Sequence, residues 1–479
     1  MIFSSLAHLF KLSVFGKIAR FGGNYALSWI LFPEDFGILA VAVAYSQVVL
    51  MLRTSGLQAY FIQNHETEEK KLLTTVFLAD FAMSLILAIV ITGIAQAFIA
   101  NGLIEGEVRD IMLLMGANIL ISSLSGIYFF NLKKELRFKT FSNATIAADL
   151  IGTGSKIGAA LMGFGALSFI LGEIFGSLFK AIYGVRFVIK NVSLGLFEKS
   201  LTRKILWYIK HTLLISAAAY VISNFDKLIL YQISELPELG KYTFAFAQLI
   251  MLYTFFIGPI NDFLFSVLPK YYEQRDKLND ITTSLQLLVS VAFIPFFAFL
   301  MFNADLLLAA IYSSRWKEAE FFMNLFSGQF LAQCTVMCVM PLLVTQKRPD
   351  LSSRFKLGKA ALIIITTMIS YQVTGSFTWV IYTFAITSVV ADLVQAVYSS
   401  RKYNLNFRSL IGTTLLVILF TLSTSFLIRN YVMEFLSIGK DIPDLILGFL
   451  IFILIYIFVV RTLIWERVKT SLRFVKKHR

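Results

Sequence analysis

Apolar runs of bilayer-spanning length, separated by short polar breaks, recur along the chain. A hydrocarbon core of about 30 Å takes roughly 20 residues of helix to cross. Runs of that order lie at approximately 9–31, 38–61, 73–98, 110–130, 141–163, 166–189, 211–233, 241–268, 281–302, 319–345, 357–374, 377–399, 410–428 and 444–464. They lack period-two alternation and are far longer than a barrel strand needs. The pattern predicts an all-α polytopic membrane protein with about 14 transmembrane helices. The tightest breaks, Gly163-Phe164-Gly165 and Thr374-Gly375-Ser376, predict helical hairpins.

Polar positions inside the runs reveal a repeat. Ser13, Lys17, Arg20, Asn24 and Ser28 are three or four residues apart and share one helical face. Ser216, Tyr220, Ser223, Lys227 and Tyr231 repeat that spacing at an offset of 203 residues, the same offset that carries Gly37 to Gly240. Pro33-Glu34-Asp35-Phe36-Gly37 follows the first stripe and Pro237-Glu238-Leu239-Gly240 the second. The expected organisation is a parallel repeat of two pseudo-symmetric six-helix lobes, 1–190 and 191–400. Residues 401–479 then add two transmembrane helices and a basic tail. Transporters of this design bind substrate between lobes and open alternately to each side.

Composition sharpens the class. Hydrophobic residues make up 57% of the 479, charged residues only 15%, and the mean hydropathy is +0.75. A soluble protein carries roughly a quarter of its residues as charges, so soluble enzymes, secreted scaffolds and disordered linkers are excluded. The net charge of +14 could signal nucleic acid. However, the cations cluster in short breaks such as Lys133, Lys134, Arg137 and Lys139, and alternate breaks hold few. That is a topology signal, and it predicts both termini on the cytoplasmic side. Lys11, Lys17 and Arg20 interrupt the first run, so no cleavable signal peptide is expected. Cys334 and Cys338 read as packing residues on one helical face, and the four histidines form no metal-ligand spacing. Gly152-Thr153-Gly154-Ser155-Lys156 fails the P-loop spacing. No cofactor is expected, and active transport would draw on an ion or substrate gradient.

Charges inside the runs are the candidate chemistry, since each costs at least about 2.5–3.5 kcal/mol unless it faces a cavity or a partner. Lys17, Arg20, Arg53, Lys156 and Lys180 stand in the first lobe against Asp80, Asp149 and Glu173. Asp149 and Lys156 are seven apart in the fifth run, as are Glu173 and Lys180 in the sixth. Intrahelical ion pairs need three or four, so these groups must look across to other helices, water or a ligand. Interhelical ion pairing is the plainer reading, but three anions cannot neutralise five cations. The excess points to a cationic, water-filled cavity for an anionic headgroup, with Arg20 the foremost candidate. Arg offers a planar donor fork to phosphate and Lys a point charge. Lys227 joins the substrate-binding candidates from the second lobe. Asp80, Asp149, Glu173, Asp226 and Asp262 are candidates for ion coupling. Pro259, next to Asn261-Asp262, predicts a kink. The pairs Gly154/Gly158 and Gly172/Gly176 predict close helix contact.

The segment Phe32-Pro33-Glu34-Asp35-Phe36-Gly37, a span, and then Thr54-Ser55-Gly56-Leu57-Gln58-Ala59-Tyr60-Phe61-Ile62-Gln63 resembles the start of bacterial polysaccharide transporters. These are O-antigen-type lipid-linked oligosaccharide flippases of the multidrug/oligosaccharidyl-lipid/polysaccharide exporter superfamily. Asp226-Lys227, Leu239-Gly240-Lys241-Tyr242 and Arg315-Trp316-Lys317-Glu318-Ala319 extend the likeness, in the same order, over essentially the whole chain. The resemblance implies an inner-membrane flippase moving undecaprenyl-pyrophosphate-linked sugar units to the periplasmic leaflet. It implies a two-lobed fold with a central cationic cavity, Arg20, Arg53, Lys156 and Lys180 as headgroup contacts, and no catalytic motif. The implied partners are the lipid-linked glycan and membrane lipids, with a polysaccharide polymerase and chain-length machinery as further candidates. Three alternatives stay open: a lipid II flippase, a drug/cation antiporter, which should have a net acidic cavity, and a membrane polymerase or glycosyltransferase. The last would need an acceptor-holding outside domain that the short loops do not offer. The plainer reading of Glu34-Asp35 is a solvated turn.

Overall fold

The computed structural model describes residues 21–54, 57–63, 67–271, 274–405, 407–432, 442–465 and 468–469. Lys17 and Arg20 lie outside the described residues, as do Ser13, Ser55 and Gly56. Every regular element among the described residues is helical. Among the described residues, eight helices are long and apolar enough to cross a membrane, or nine if a bent pair counts as one span. The chain forms two compact units, one ending at Gly240 and one beginning at Lys241.

The first unit holds α1 (21–30), α2 (Pro33–Thr54), α3 (Leu57–Gln63), α4 (Glu69–Ala100), α5 (Gly106–Lys134), α6 (Phe138–Leu161), α7 (Leu167–Asn191) and α8 (Lys199–Leu230). It also holds the start of α9 (Leu236–Val267). Pro33 opens α2, where a missing N–H costs nothing. The Asp35 carboxylate accepts the Phe32 N–H at 2.8 Å, so this acid serves a helix start. The α6–α7 hairpin turns at Gly163 and Gly165, whose φ values of 84° and 48° favour glycine. α5 packs on α4 and α7, α7 on α6, and α8 on α2. The α8 contact is polar as well as apolar. The Tyr220 hydroxyl donates to the Ala44 carbonyl at 3.0 Å, and the Asn224 amide to Gln47 Oε1 at 3.1 Å.

Gly37 and Gly240, the two glycines related by the repeat, meet at the crossing of the first turns of α2 and α9. A Cβ on Gly37 would stand 2.1 Å from the Leu236 carbonyl oxygen. One on Gly240 would stand 1.7 Å from the Pro33 carbonyl oxygen. Pro33 and Leu236 are themselves related by the same offset, so the contact is reciprocal.

The second unit continues α9 and adds α10 (Arg275–Ile311), α11 (Glu320–Cys334), α12 (Leu342–Thr345), α13 (Pro349–Thr374), α14 (Phe377–Lys402), α15 (Phe407–Leu427) and α16 (Ile442–Val459). α9 bends by 46° between Phe255 and Ile257. Pro259 carries no N–H for the Phe255 carbonyl, which accounts for the bend. α10 lies at the centre, against α11, α15 and α16. Its Phe297 stacks on Phe330 of α11, and its Phe299 packs on Phe452 of α16.

One expected span is corrected. The run 319–345 is not a continuous helix: α11 ends at Cys334, and turns occupy 335–341. Cys334 and Cys338 therefore do not share one helical face. Pro341 lacks the N–H that would continue the ladder, and Gln286 of α10 satisfies the break. Its Nε2 donates to the Cys334 carbonyl at 2.7 Å, and its Oε1 accepts the Cys338 N–H at 2.9 Å. Backbone breaks at membrane depth require such buried partners.

Candidate functional site

α6 is the longest helix of the first unit whose apolar content falls below that of a spanning helix, because it carries the polar stripe that its sequence spaces three or four residues apart, Ser142, Thr145, Asp149, Thr153 and Lys156. That stripe turns onto α7. The two helices approach backbone to backbone through Gly152, Gly172 and Gly176. A Cβ on Gly152 would lie 2.9 Å from the Gly172 carbonyl oxygen, and one on Gly172 would lie 2.5 Å from that of Gly152. Gly172 also makes room for the stem of Lys156, whose Cγ would be 2.0 Å from the added carbon. The Gly172/Gly176 pair thus makes the close contact its spacing predicts. Gly154 and Gly158 do not: nothing stands within 4 Å of a Cβ at either position.

Beside this contact opens a cavity of about 210 Å³, bounded by α5, α6 and α7. Four of the sequence-predicted residues line it: Asp149, Lys156, Glu173 and Lys180. Lys156 Nζ lies 3.7 Å from Glu173 Oε1, across the helix interface. The acid is open to solvent, with 54% of the Glu173 side chain exposed, while Lys156 is half-buried. Lys180 extends its ammonium over the Phe129 ring, 6.0 Å from the centroid. Thr153 and Ser177 supply hydroxyls. Gly23 of α1 abuts Thr153, since a Cβ there would stand 2.2 Å from its Cγ2. The described lining thus balances two carboxylates against two ammonium groups. The cationic excess expected from the sequence rests on Lys17 and Arg20, outside the described residues.

Arg53 and Asp80 are brought together elsewhere in the unit. Arg53 Nε donates to Asp80 Oδ1 at 3.2 Å, Nη2 lies 3.4 Å from Oδ2, and Nη1 donates to the Ser122 hydroxyl. Asp80 is buried, with its side chain 5% exposed. Gly126 leaves space for its carboxylate, 2.8 Å from where a Cβ would stand. This bond ties α2, α4 and α5 together. Asp226 and Lys227 are neighbours on α8, with Nζ 3.8 Å from Oδ1 and the ammonium donating to the Ser223 carbonyl. Asp262 is exposed on α9, three residues beyond Pro259. None of these five residues lines the α5–α7 cavity.

Two polar features escaped the sequence reading. Asn118 of α5 lines the cavity, and its buried Oδ1 accepts no hydrogen bond among the described residues. A single amide within an apolar run gives no periodic signal. In the second unit, Lys359 of α13 donates to both Asp392 oxygens at 2.8 and 2.9 Å, and Gln333 adds a bond at 3.3 Å. Lys359 stands near the start of the run 357–374, and nothing local in the sequence joins it to Asp392.

The profile of the family described as "Polysaccharide biosynthesis protein" matches residues 26–320. The succinoglycan biosynthesis transport protein ExoT of Rhizobium meliloti (strain 1021) is 28% identical over 178 residues, 36% of this chain; the match spans only 35% of ExoT. The teichuronic acid biosynthesis protein TuaB of Bacillus subtilis (strain 168) is 21% identical over 366 residues, covering 73% of this chain and 71% of TuaB. Among solved structures, the inward closed conformation of the lipid II flippase MurJ superposes with a TM-score of 0.74 at 13% identity. That superposition covers 96% of this chain and 100% of the other, and it establishes a shared fold.

Proposed function

The chain belongs to the polysaccharide biosynthesis protein family, a family of membrane transporters and not of enzymes, and we propose that it flips an undecaprenyl-pyrophosphate-linked oligosaccharide across the bacterial inner membrane for surface polysaccharide synthesis. In this reading 14 spans cross the bilayer, the run 319–345 as an interrupted one, in two pseudo-symmetric six-helix lobes followed by two helices. Both termini are cytoplasmic, as the Lys and Arg clusters favour. Movement follows alternating access, as in transporters built from repeats. A lipopolysaccharide or related surface glycan would be the end product, and a polymerase and chain-length machinery its downstream partners.

The observation that carries the reading is the α5–α7 cavity, where Lys156 and Lys180 stand beside hydroxyl and amide groups. A pyrophosphate headgroup wants cations, and sugar hydroxyls want mixed donors and acceptors such as Thr153, Ser177 and Asn118. Arg20 precedes Gly23 by three residues, and Gly23 abuts Thr153 of the cavity wall. Lys17 and Arg20 are the remaining headgroup contacts of this reading, on the ground of their charge and spacing in the sequence. Arg53 and Lys227, each held by a neighbouring acid, are secondary contacts in this reading. Asp149 and Glu173 are the acids placed to couple headgroup movement to a proton or sodium ion, with Asp80, Asp226 and Asp262 more remote. The family and its two glycan-synthesis relatives favour a glycan cargo over a drug antiporter's cation. Lipid II remains the nearest competing cargo.

The test is flipping in proteoliposomes. Undecaprenyl-pyrophosphate oligosaccharide is placed in one leaflet, and protection of its glycan from added periodate is followed. Protection that depends on the protein and is lost in Lys156→Ala with Lys180→Ala supports the proposal. Equal protection in the double variant, or preferential protection of lipid II, overturns it. Rates that ignore imposed proton and sodium gradients would remove the coupling role.

A further inference from the structure

The second unit carries two grooves on either side of a single ridge. Val390, Val394 and Tyr398 recur every four residues and form a row along α14. Between this row and α13 runs a groove of about 310 Å³, walled by Leu351, Phe355 and Leu362. On the other side a second, wider groove of about 700 Å³ lies along Leu393 and Val397, lined by α14 residues alone. Both are open, and Val390, Leu393 and Val394 are exposed. The α13–α14 hairpin that frames them is held by the Lys359–Asp392 pair and by the Thr366–Thr387 hydroxyl contact at 2.9 Å.

Apart from Lys359, which lines the first groove but is neutralised by Asp392, the charge lies at one end. Arg354 closes the first groove, Arg401 and Lys402 close the second, and Lys402 reaches over the Tyr398 ring at 5.8 Å. Neither groove has a carboxylate in its lining. The acids nearby are engaged elsewhere: Asp392 with Lys359, and Asp350 with Arg348 at 3.0 and 2.9 Å. None of the ion pairs among the described residues uses Arg354, Arg401 or Lys402. From Val390 to Arg401 the helix rises about 16 Å, close to half of a hydrocarbon core of about 30 Å. The grooves are one leaflet long.

We propose that the α13–α14 hairpin binds a diacyl phospholipid with an anionic headgroup, one chain in each groove and the phosphate between Arg354, Arg401 and Lys402. Two grooves parted by one ridge suit two chains; a polyprenyl tail would fill one and leave the other open. Three cations without a carboxylate favour a net negative headgroup over a zwitterionic one. Arg supplies paired donors to the phosphate oxygens. The site shares no residue with the α5–α7 cavity and is independent of the glycan reading.

The experiment is native mass spectrometry of the full-length protein in detergent, titrated with dioleoyl-phosphatidylglycerol or dioleoyl-phosphatidylcholine. The first phosphatidylglycerol should bind about tenfold tighter than phosphatidylcholine. In Arg401→Ala with Lys402→Ala, and separately in Arg354→Ala, that preference should fall to about threefold or less. It should persist in Lys70→Ala with Lys71→Ala, a basic pair of the first unit. Val394→Trp, which bulks up the ridge, should weaken both lipids, and a thermal melt checks that each variant folds. An unchanged preference in both cation variants overturns the proposal. So does undecaprenyl phosphate displacing phosphatidylglycerol at equal concentration.

Discussion

Gly37 and Gly240 each press against the carbonyl oxygen that begins the other's helical turn: Gly37 on Leu236, Gly240 on Pro33. No rotamer change relieves such a contact, since the obstacle is backbone. Gly240→Ala and Gly37→Ala should each cost about 1–3 kcal/mol or more, as overpacking does, and lower the melting temperature. Gly93→Ala, with nothing within 4 Å in mid-α4, should be neutral or slightly stabilising. Melts in which all three behave alike would remove the argument.

Arg53 and Asp80 form a buried pair, and removing one partner strands the other. Asp80→Asn or Arg53→Met alone should destabilise by about 3–5 kcal/mol, whereas Arg53→Met with Asp80→Leu should recover much of it. Denaturant or thermal unfolding of the three variants reads this directly. Additive losses would show that the pair does not act as a unit.

The Lys156–Glu173 pair differs in its acid, since Glu173 is exposed where Asp80 is buried. A double-mutant cycle on stability should give a coupling below about 1 kcal/mol. Transport should nevertheless fall sharply in Lys156→Ala. A coupling above about 2 kcal/mol with transport intact would make the pair a structural strut.

Glu318 lies in the connection before α11 and is exposed, and its carboxylate accepts from Lys241. The hydrogen bond and charge of Lys241 hold its pKa below the ordinary 4.5. A depressed folded pKa means that the contribution is present above the unfolded value and is lost as pH falls through the folded one. Wild-type protein should therefore lose melting temperature faster than Glu318→Gln between roughly pH 5 and pH 3. Parallel pH profiles would show that the pair adds nothing.

What the sequence made legible follows from one-dimensional periodicity. The α6–α7 hairpin, the polar stripe of α6 and the kink at Pro259 were all readable, because each depends on residues within a few turns of one another. The partners of those residues were not. Nothing in Lys156 announces Glu173, and Arg53 gives no sign of Asp80, because helix rotation sets those meetings. The break after Cys334 was hidden for the same reason. An apolar run containing Pro341 reads as a span until Gln286, 48 residues before Cys334, is seen to satisfy the interrupted backbone.

The α6–α7 approach through Gly152, Gly172 and Gly176 makes the cavity a caliper with fixed jaws. Peptide groups in direct contact set the gap between its walls, and no side chain there can be enlarged or trimmed to adjust it. With the cavity as the proposed cargo site, retuning for another cargo would mean exchanging the lining at Asn118, Thr153 and Ser177 within an unchanged aperture. A bulkier residue at any of the three glycines would instead force the jaws apart.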